Sequence, residues 1–362
     1  MIAESQILYL YSSNQSRLYE QDILDVLAAP RGTLRQFRYF ERYVSTTLRA
    51  HIGDIEGRWA LLHFSLQQEE QYHEPVLIPV RWATVHSASV IGDIYAFQLR
   101  MENWCSLPAP RKNDGSPTFS DWQRKRDVVR GYQQFLANHK VEQPYGCSAG
   151  VGEDLRGAHT PLERIADDAL LFNYSTHYLQ STRSFNNARF YRVRSIRDLT
   201  DGAAAEVDAG DDGTFELRGG RTYSLYVSHF QPVNPQAIDR VRLETDGKTV
   251  VPIGKPYFEI ASRYDDVAIE FHAVEPPTSE IRDSVVILEP EGSTFAAKVR
   301  LRLRVSRSAS KTATAVGGAA LAAILLGIPT LWTSLDPALK AMSVAAAALV
   351  TALLANAGLK RA

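Results

Sequence analysis

Cysteine is almost missing from this chain: 2 residues in 362, Cys105 and Cys147. They close at most one bridge and match no paired-thiolate metal pattern, which excludes a disulfide scaffold and fits a reducing compartment. An excess of charge is lacking too. Forty Lys and Arg stand against 41 Asp and Glu, a formal net charge of −1, so no bulk attraction to nucleic acid is available and no nucleic-acid partner is expected. Signature chemistry is equally scarce. The 9 histidines include no pair at helical ligand spacing and no HExxH, and neither GxGxxG nor GxxxxGK[ST] occurs. Disorder of the whole is excluded as well, because 45% of the residues are hydrophobic and 22% charged.

What the chain does have is one extreme region. From Thr312 to Leu359 it carries just two charges, Asp336 and Lys340. The 24 residues between Lys311 and Asp336 contain none, and as a helix they would span about 36 Å, enough to cross a bilayer. The 19 from Ala341 to Leu359 would span about 28 Å. Asp336-Pro337 is a strong helix start, since the carboxylate caps free N–H groups and proline lacks one already. The expectation is a two-helix transmembrane hairpin over 309–362. Arg302, Arg304, Arg307 and Lys311 precede the first span and Lys360 and Arg361 follow the second, which places both termini in the cytoplasm. Small residues, Gly318, Ala322 and Gly327 on the first span and Ala345, Ala348 and Ala352 on the second, would let helices pack closely and oligomerise. Trp332 falls where an indole meets the headgroup layer.

The first three hundred residues read mainly as strand. Ile7 to Tyr11, Leu34 to Phe40, Trp59 to Leu66, Pro75 to Val90 and Ile94 to Met101 are rich in β-branched and aromatic residues and imply a barrel-like or rolled sheet over 1–205. Turn-rich flanks mark 113–157 as an insertion, with a helix at its centre begun by Ser120 and Gln123, and a second short helix is expected from Pro161 to Leu170. The acidic stretch Asp198 to Glu216 reads as a linker. Beyond it, short strands with turns at roughly ten-residue spacing predict a β-sandwich of immunoglobulin-like size over 206–308. Its last strand alternates Arg300, Arg302 and Arg304 with aliphatic residues, and these arginines, with Arg307 and Lys311, are candidates to meet anionic lipid.

Other candidates are weaker. Lys112, Arg124, Lys125, Arg126 and Arg130, interleaved with Trp122 and Tyr132, make a local case for anion binding. Asp208-Ala-Gly-Asp211-Asp212-Gly213 fails the EF-hand spacing, and Gly146 to Gly152 is glycine-rich without a phosphate-loop pattern, so neither a metal nor any other cofactor is expected. His73 with Glu74, and His159 with Glu163 and Asp167, are neighbours in sequence only.

A β-rich body followed by a short C-terminal pair of apolar spans resembles, in domain order, the membrane effectors of bacterial antiphage defence systems. That resemblance implies a non-enzymatic protein whose cytosolic domains sense a partner protein or small signal and whose spans assemble and breach the membrane. A membrane-held scaffold, in which the spans only anchor, is the alternative, and a tethered enzyme ranks behind both.

Overall fold

The computed structural model describes residues 6–13, 16–66, 76–105, 148–152, 164–165, 179, 185, 187–200, 204–231, 235, 237–277, 280–292 and 294–307. The chain opens with β1 (Ile7–Ser13), buried along its whole length. Its apolar run ILYLYSS therefore serves a strand covered on both faces. Ser16 then caps α1 (Arg17–Ala28) by accepting from the Tyr19 N–H, and Ile23, Leu24 and Leu27 form the helix's buried stripe. This helix was not among the sequence expectations, although its cap and its apolar spacing are both legible.

There follow β2 (Leu34–Phe40), a short α2 (Thr46–Ala50), β3 (Trp59–Leu66), β4 (Val76–Ile91), β5 (Ile94–Cys105), β6 (Ser148–Gly152) and the two-residue β7 (Arg164–Ile165). They form one sheet in the order β2-β5-β4-β3-β1-β6, with β7 beside β5. Only β1 and β3 run parallel within it. The sheet curls strongly: Tyr39 of β2 donates to the Tyr11 carbonyl of β1 at 3.3 Å although three strands lie between them. A bridge from Val44 to Ala149 brings the two ends together. Register shifts in β4, against β3 and again against β5, supply the local bending that such a curl requires.

The second unit holds β8 (Ala188–Arg189), β9 (Tyr191–Asp198), β10 (Ala205–Val207), β11 (Thr214–Arg218), β12 (Arg221–Phe230), β13 (Asp239–Glu244), β14 (Val250–Pro252), β15 (Tyr257–Ile260), β16 (Tyr264–Ala273), β17 (Arg282–Pro290), β18 (Phe295–Ala296) and β19 (Val299–Ser306). One five-stranded sheet runs β10-β9-β12-β16-β14 and the other β11-β19-β17-β13-β15, a β-sandwich. Alternation decides which residues line it: Val299, Leu301, Leu303 and Val305 of β19 point inward, and Arg300 and Arg302 point out. Tyr191 meets Phe258 edge-on at 5.4 Å, joining the two sheets. One apolar cluster runs from α1 and the curled sheet into the sandwich without interruption, and a second, of Ile7, Tyr9, Tyr11, Leu61, Leu77, Trp82 and Cys105, belongs to the curled sheet alone.

Several expectations are corrected. The described fold is mainly β, its α-helices are α1 of 12 residues and α2 of 5, and none of its helices is long and apolar enough to cross a membrane. The expected C-terminal transmembrane hairpin is therefore no part of the described fold, and residues 309–362, on which it was placed, lie outside the described residues. Gly146 to Gly152 was read as loop at the end of an insertion, yet Ser148–Gly152 pairs with β1, small residues being what fits flat against the aromatic side chains of that strand. Arg164–Ile165 is strand where a helix was expected, because it adds to the end of β5. The helix centred in the expected insertion lies outside the described residues.

The stretch from Asp198 to Glu216 is not a linker either. Asp198 ends β9, which pairs with β12 inside the sandwich, so that unit begins ahead of residue 206. Ala209 to Gly213 docks on the curled sheet: Arg100 binds Asp211 at 3.0 Å and the Ala209 carbonyl at 3.2 Å. Gly32, at φ +86°, approaches so near that a Cβ there would lie 2.6 Å from the Ala209 Cβ.

A basic cleft where the two units meet

Between the end of the curled sheet and the outer face of the sandwich lies a cavity of about 350 Å³, lined by Ala29, Arg31, Arg81 and Trp104 on one side and by Arg192 to Ser195, Arg197, Glu206 and Asp208 on the other. Five guanidinium groups face two carboxylates there. Each side is shaped by a break in strand register. On β4, pairing jumps from His63–Pro79 to Leu62–Arg81, and against β5 it slips again between Arg81 and Ala83. Val80, Arg81 and Trp82 are consequently buried in succession, with Arg81 turned toward α1 instead of outward. On β9, Val193 pairs with Val227 and Ser195 with Tyr226, so Arg194 is the extra residue. The bulge lets Val193 and Ile196 both face the core and gathers Arg192, Ser195 and Arg197 on the opposite face.

Arg81 is 3% exposed. Its Nε donates to the Glu102 carbonyl at 2.9 Å, and its Nη1 donates to the carbonyls of Val26, at 3.1 Å, and Ala29. It thus satisfies carbonyls at the C-terminal end of α1, where a cation is also favoured by the helix dipole. Burial, reinforced by the like charge of Arg192, pulls its pKa down to about 9, so it stays a cation at neutral pH. Its guanidinium lies 5.2 Å from the Trp104 ring centre. Around the rim, Arg31 reaches Glu102 at 3.4 Å, Arg194 reaches Asp266 at 3.8 Å, and Arg197 rests over Tyr226 at 4.8 Å while donating to Ser195. The cleft is a place for an anion: forked donors and positive charge in a site partly withdrawn from water.

The residues singled out from sequence fall elsewhere. Lys112, Arg124, Lys125, Arg126 and Arg130 lie outside the described residues, as do Gly318, Ala322, Gly327, Ala345, Ala348, Ala352, Lys311 and Trp332. Arg302 is exposed on the outer face of β19. Arg304 sits among Asp283 at 3.1 Å, Asp212 at 3.2 Å and Glu216 at 3.8 Å, and its hydrogen bond to Asp283 raises its pKa. Arg307 lies 3.7 Å from Glu275. The groove of about 660 Å³ beside Arg302 and Arg304 is larger than the cleft, but Asp212, Glu244, Asp246 and Asp283 also line it, so carboxylates outnumber its two arginines. Asp212, part of the acidic stretch weighed for calcium, bonds the Thr214 N–H and Arg304 instead. His63 is buried against Tyr11, ring centres 4.7 Å apart, and burial pushes its pKa down to about 3. His73 and His159 are outside the described residues.

The arginines of the cleft escaped sequence reasoning because they are spread from position 31 to position 197. A signal existed all the same. Arg81 interrupts the apolar run from Val76 to Ala83, and Tyr191-Arg-Val-Arg-Ser-Ile-Arg197 repeats arginine off the period of two that a plain strand would show.

No protein-family model and no curated protein matches the chain. Among solved structures, a FixG-related protein from Vibrio parahaemolyticus is 17% identical over 24% of this chain and 78% of its own, with a TM-score of 0.19. The VesB protease of Vibrio cholerae is 8% identical over 66% of this chain and 85% of its own, with a TM-score of 0.18. Scores that low carry no inference about fold or activity.

Proposed function

We propose that this chain is a non-enzymatic membrane effector: its β-rich body binds a small anionic signal in the cleft between its two units, and the apolar stretch Thr312 to Leu359 acts on the bacterial inner membrane. The observation that supports this best is the convergence of Arg81 and Arg192, both nearly fully buried and each from a different unit, on one cavity. A ligand held by both units changes the free energy of their contact, which is what a sensor needs. A route to the far end of the chain is at hand. Arg81 holds the end of α1, and Asp25 of α1 accepts from the Lys298 N–H at 3.0 Å, just ahead of β19, the strand from which the chain runs on toward Thr312.

The test is made in bacteria expressing the full chain, with membrane potential read by a voltage-sensitive dye. Depolarisation is expected, and it is expected to disappear when Thr312 to Leu359 is exchanged for an unrelated membrane anchor while the protein stays at the membrane. An effector depends on particular apolar faces, such as those bearing Gly318 and Ala322, whereas an anchor needs apolar length alone. Unchanged activity after the exchange would overturn the effector reading in favour of the scaffold.

A further inference from the structure

The cleft grades from a dry floor to a wet rim. On its floor lie Arg81, Trp104, Arg192 and Ser195, 3%, 5%, 4% and 6% exposed. Around its rim stand Arg31, Arg194, Glu206 and Asp208, all exposed to water. Two guanidinium groups held side by side on the floor repel each other, and the acid that offsets this for Arg81, Glu102, is shared with Arg31 and Arg100. Both carboxylates that line the cavity itself are at the rim.

Building on the reading of the cleft as an anion site, we propose that it binds a small phosphomonoester whose carbon skeleton carries hydroxyl or amino groups. The floor selects the anionic end. A phosphoryl group presents three oxygens in a trigonal array and up to two negative charges, so it engages together the Nη2 end of Arg81, whose Nε and Nη1 already serve carbonyls, the Arg192 guanidinium and the Ser195 hydroxyl. One carboxylate offers two oxygens and a single charge. The rim selects the other end, because Glu206 and Asp208 are acceptors that repel a second anionic group and receive hydrogen bonds from hydroxyls or amines. Size sets a further limit. At about 350 Å³ the cavity is at the small end of ligand pockets, enough for one compact molecule and too little for an oligonucleotide. Trp104 offers an apolar wall for the carbon skeleton.

The experiment is calorimetric titration of the full-length chain with ribose 5-phosphate, orthophosphate and citrate. Ribose 5-phosphate is expected to bind most tightly, with orthophosphate displacing it competitively. Arg192→Met is expected to weaken it about tenfold or more, the loss of charge-assisted hydrogen bonds. Because Arg192 is buried, the exposed pair Arg194→Glu and Glu206→Gln provides a second reading. The first should weaken every anion, and the second should weaken ribose 5-phosphate while leaving orthophosphate unchanged. Citrate binding as tightly as ribose 5-phosphate would overturn the phosphomonoester assignment and leave the anion site standing. A Glu206→Gln variant with unaltered preference would overturn the role given to the rim. Failure of all three probes to bind would overturn the anion site itself.

Discussion

Asp22, on α1, is a carboxylic acid whose pKa burial lifts to about 7, with the nearby charge of Asp25 adding to the rise. Its unfolded value is 3.8, so between about pH 4 and 7 the folded chain holds more protons than the unfolded one, and stability falls as pH rises through that window. His63 acts in the opposite sense. Its folded pKa of about 3 lies below the unfolded 6.5, so it favours folding increasingly as pH rises from 3 to 6.5. The two trends offset each other across the shared range. Asp22→Asn removes one of them and should leave the protein more stable than the parent at pH 8, by on the order of 2 kcal/mol, and equal to it below pH 4. Urea denaturation at pH 4, 6 and 8 checks this, and a parent-to-variant difference that does not grow with pH would refute it.

The elements that join the two units do so through close backbone approach as much as through charge. Gly32 follows α1 and touches Ala209, and Gly213, at φ +72°, would with a Cβ come within 2.7 Å of Leu34. Between them, Arg100 ties β5 to Ala209 and Asp211. Gly32→Val meets two penalties, a left-handed backbone and a clash with Ala209, and should cost about 3 kcal/mol. Gly57, at φ +75° with open space around it, is the control, and its valine variant should cost only the backbone share of about 1–2 kcal/mol. Equal losses for the two would mean that the 209–213 segment does not press on the curled sheet. The same joint explains why a stretch rich in acids and glycine is ordered here: its carboxylates find Arg100 and Arg304, and its glycines permit the contact.

Across the whole molecule, the apolar core is continuous from the curled sheet to the sandwich, which argues for one cooperative transition instead of two. A chain stopped after Ser308 should therefore fold and unfold as a unit. Every tryptophan it retains precedes residue 188, so fluorescence reports on the first unit while far-ultraviolet circular dichroism reports on both. Coincident urea midpoints are expected. A dichroism transition that lags or leads the fluorescence would show two units that fold apart, and would remove the basis for a ligand in the cleft acting on both.

Local patterning already determined the β character of the first three hundred residues, most strand positions, and the sandwich with its alternating last strand, because a period of two in apolar residues needs no distant information. It also determined the charge balance and the apolar stretch beyond Lys311. Tertiary structure alone decided that β1 runs parallel to β3 with β6 on its other side, since pairing partners leave no mark on a single strand. It decided that Ala209 to Gly213 docks on the curled sheet, because nothing in the local sequence tells that Arg100 reaches Asp211 and the Ala209 carbonyl. The cleft is the clearest case. Arg81 and Arg192 are 111 residues apart in sequence, and each reads as an ordinary strand residue. Only two register breaks, and the meeting of two sheets, turn both side chains into one cavity.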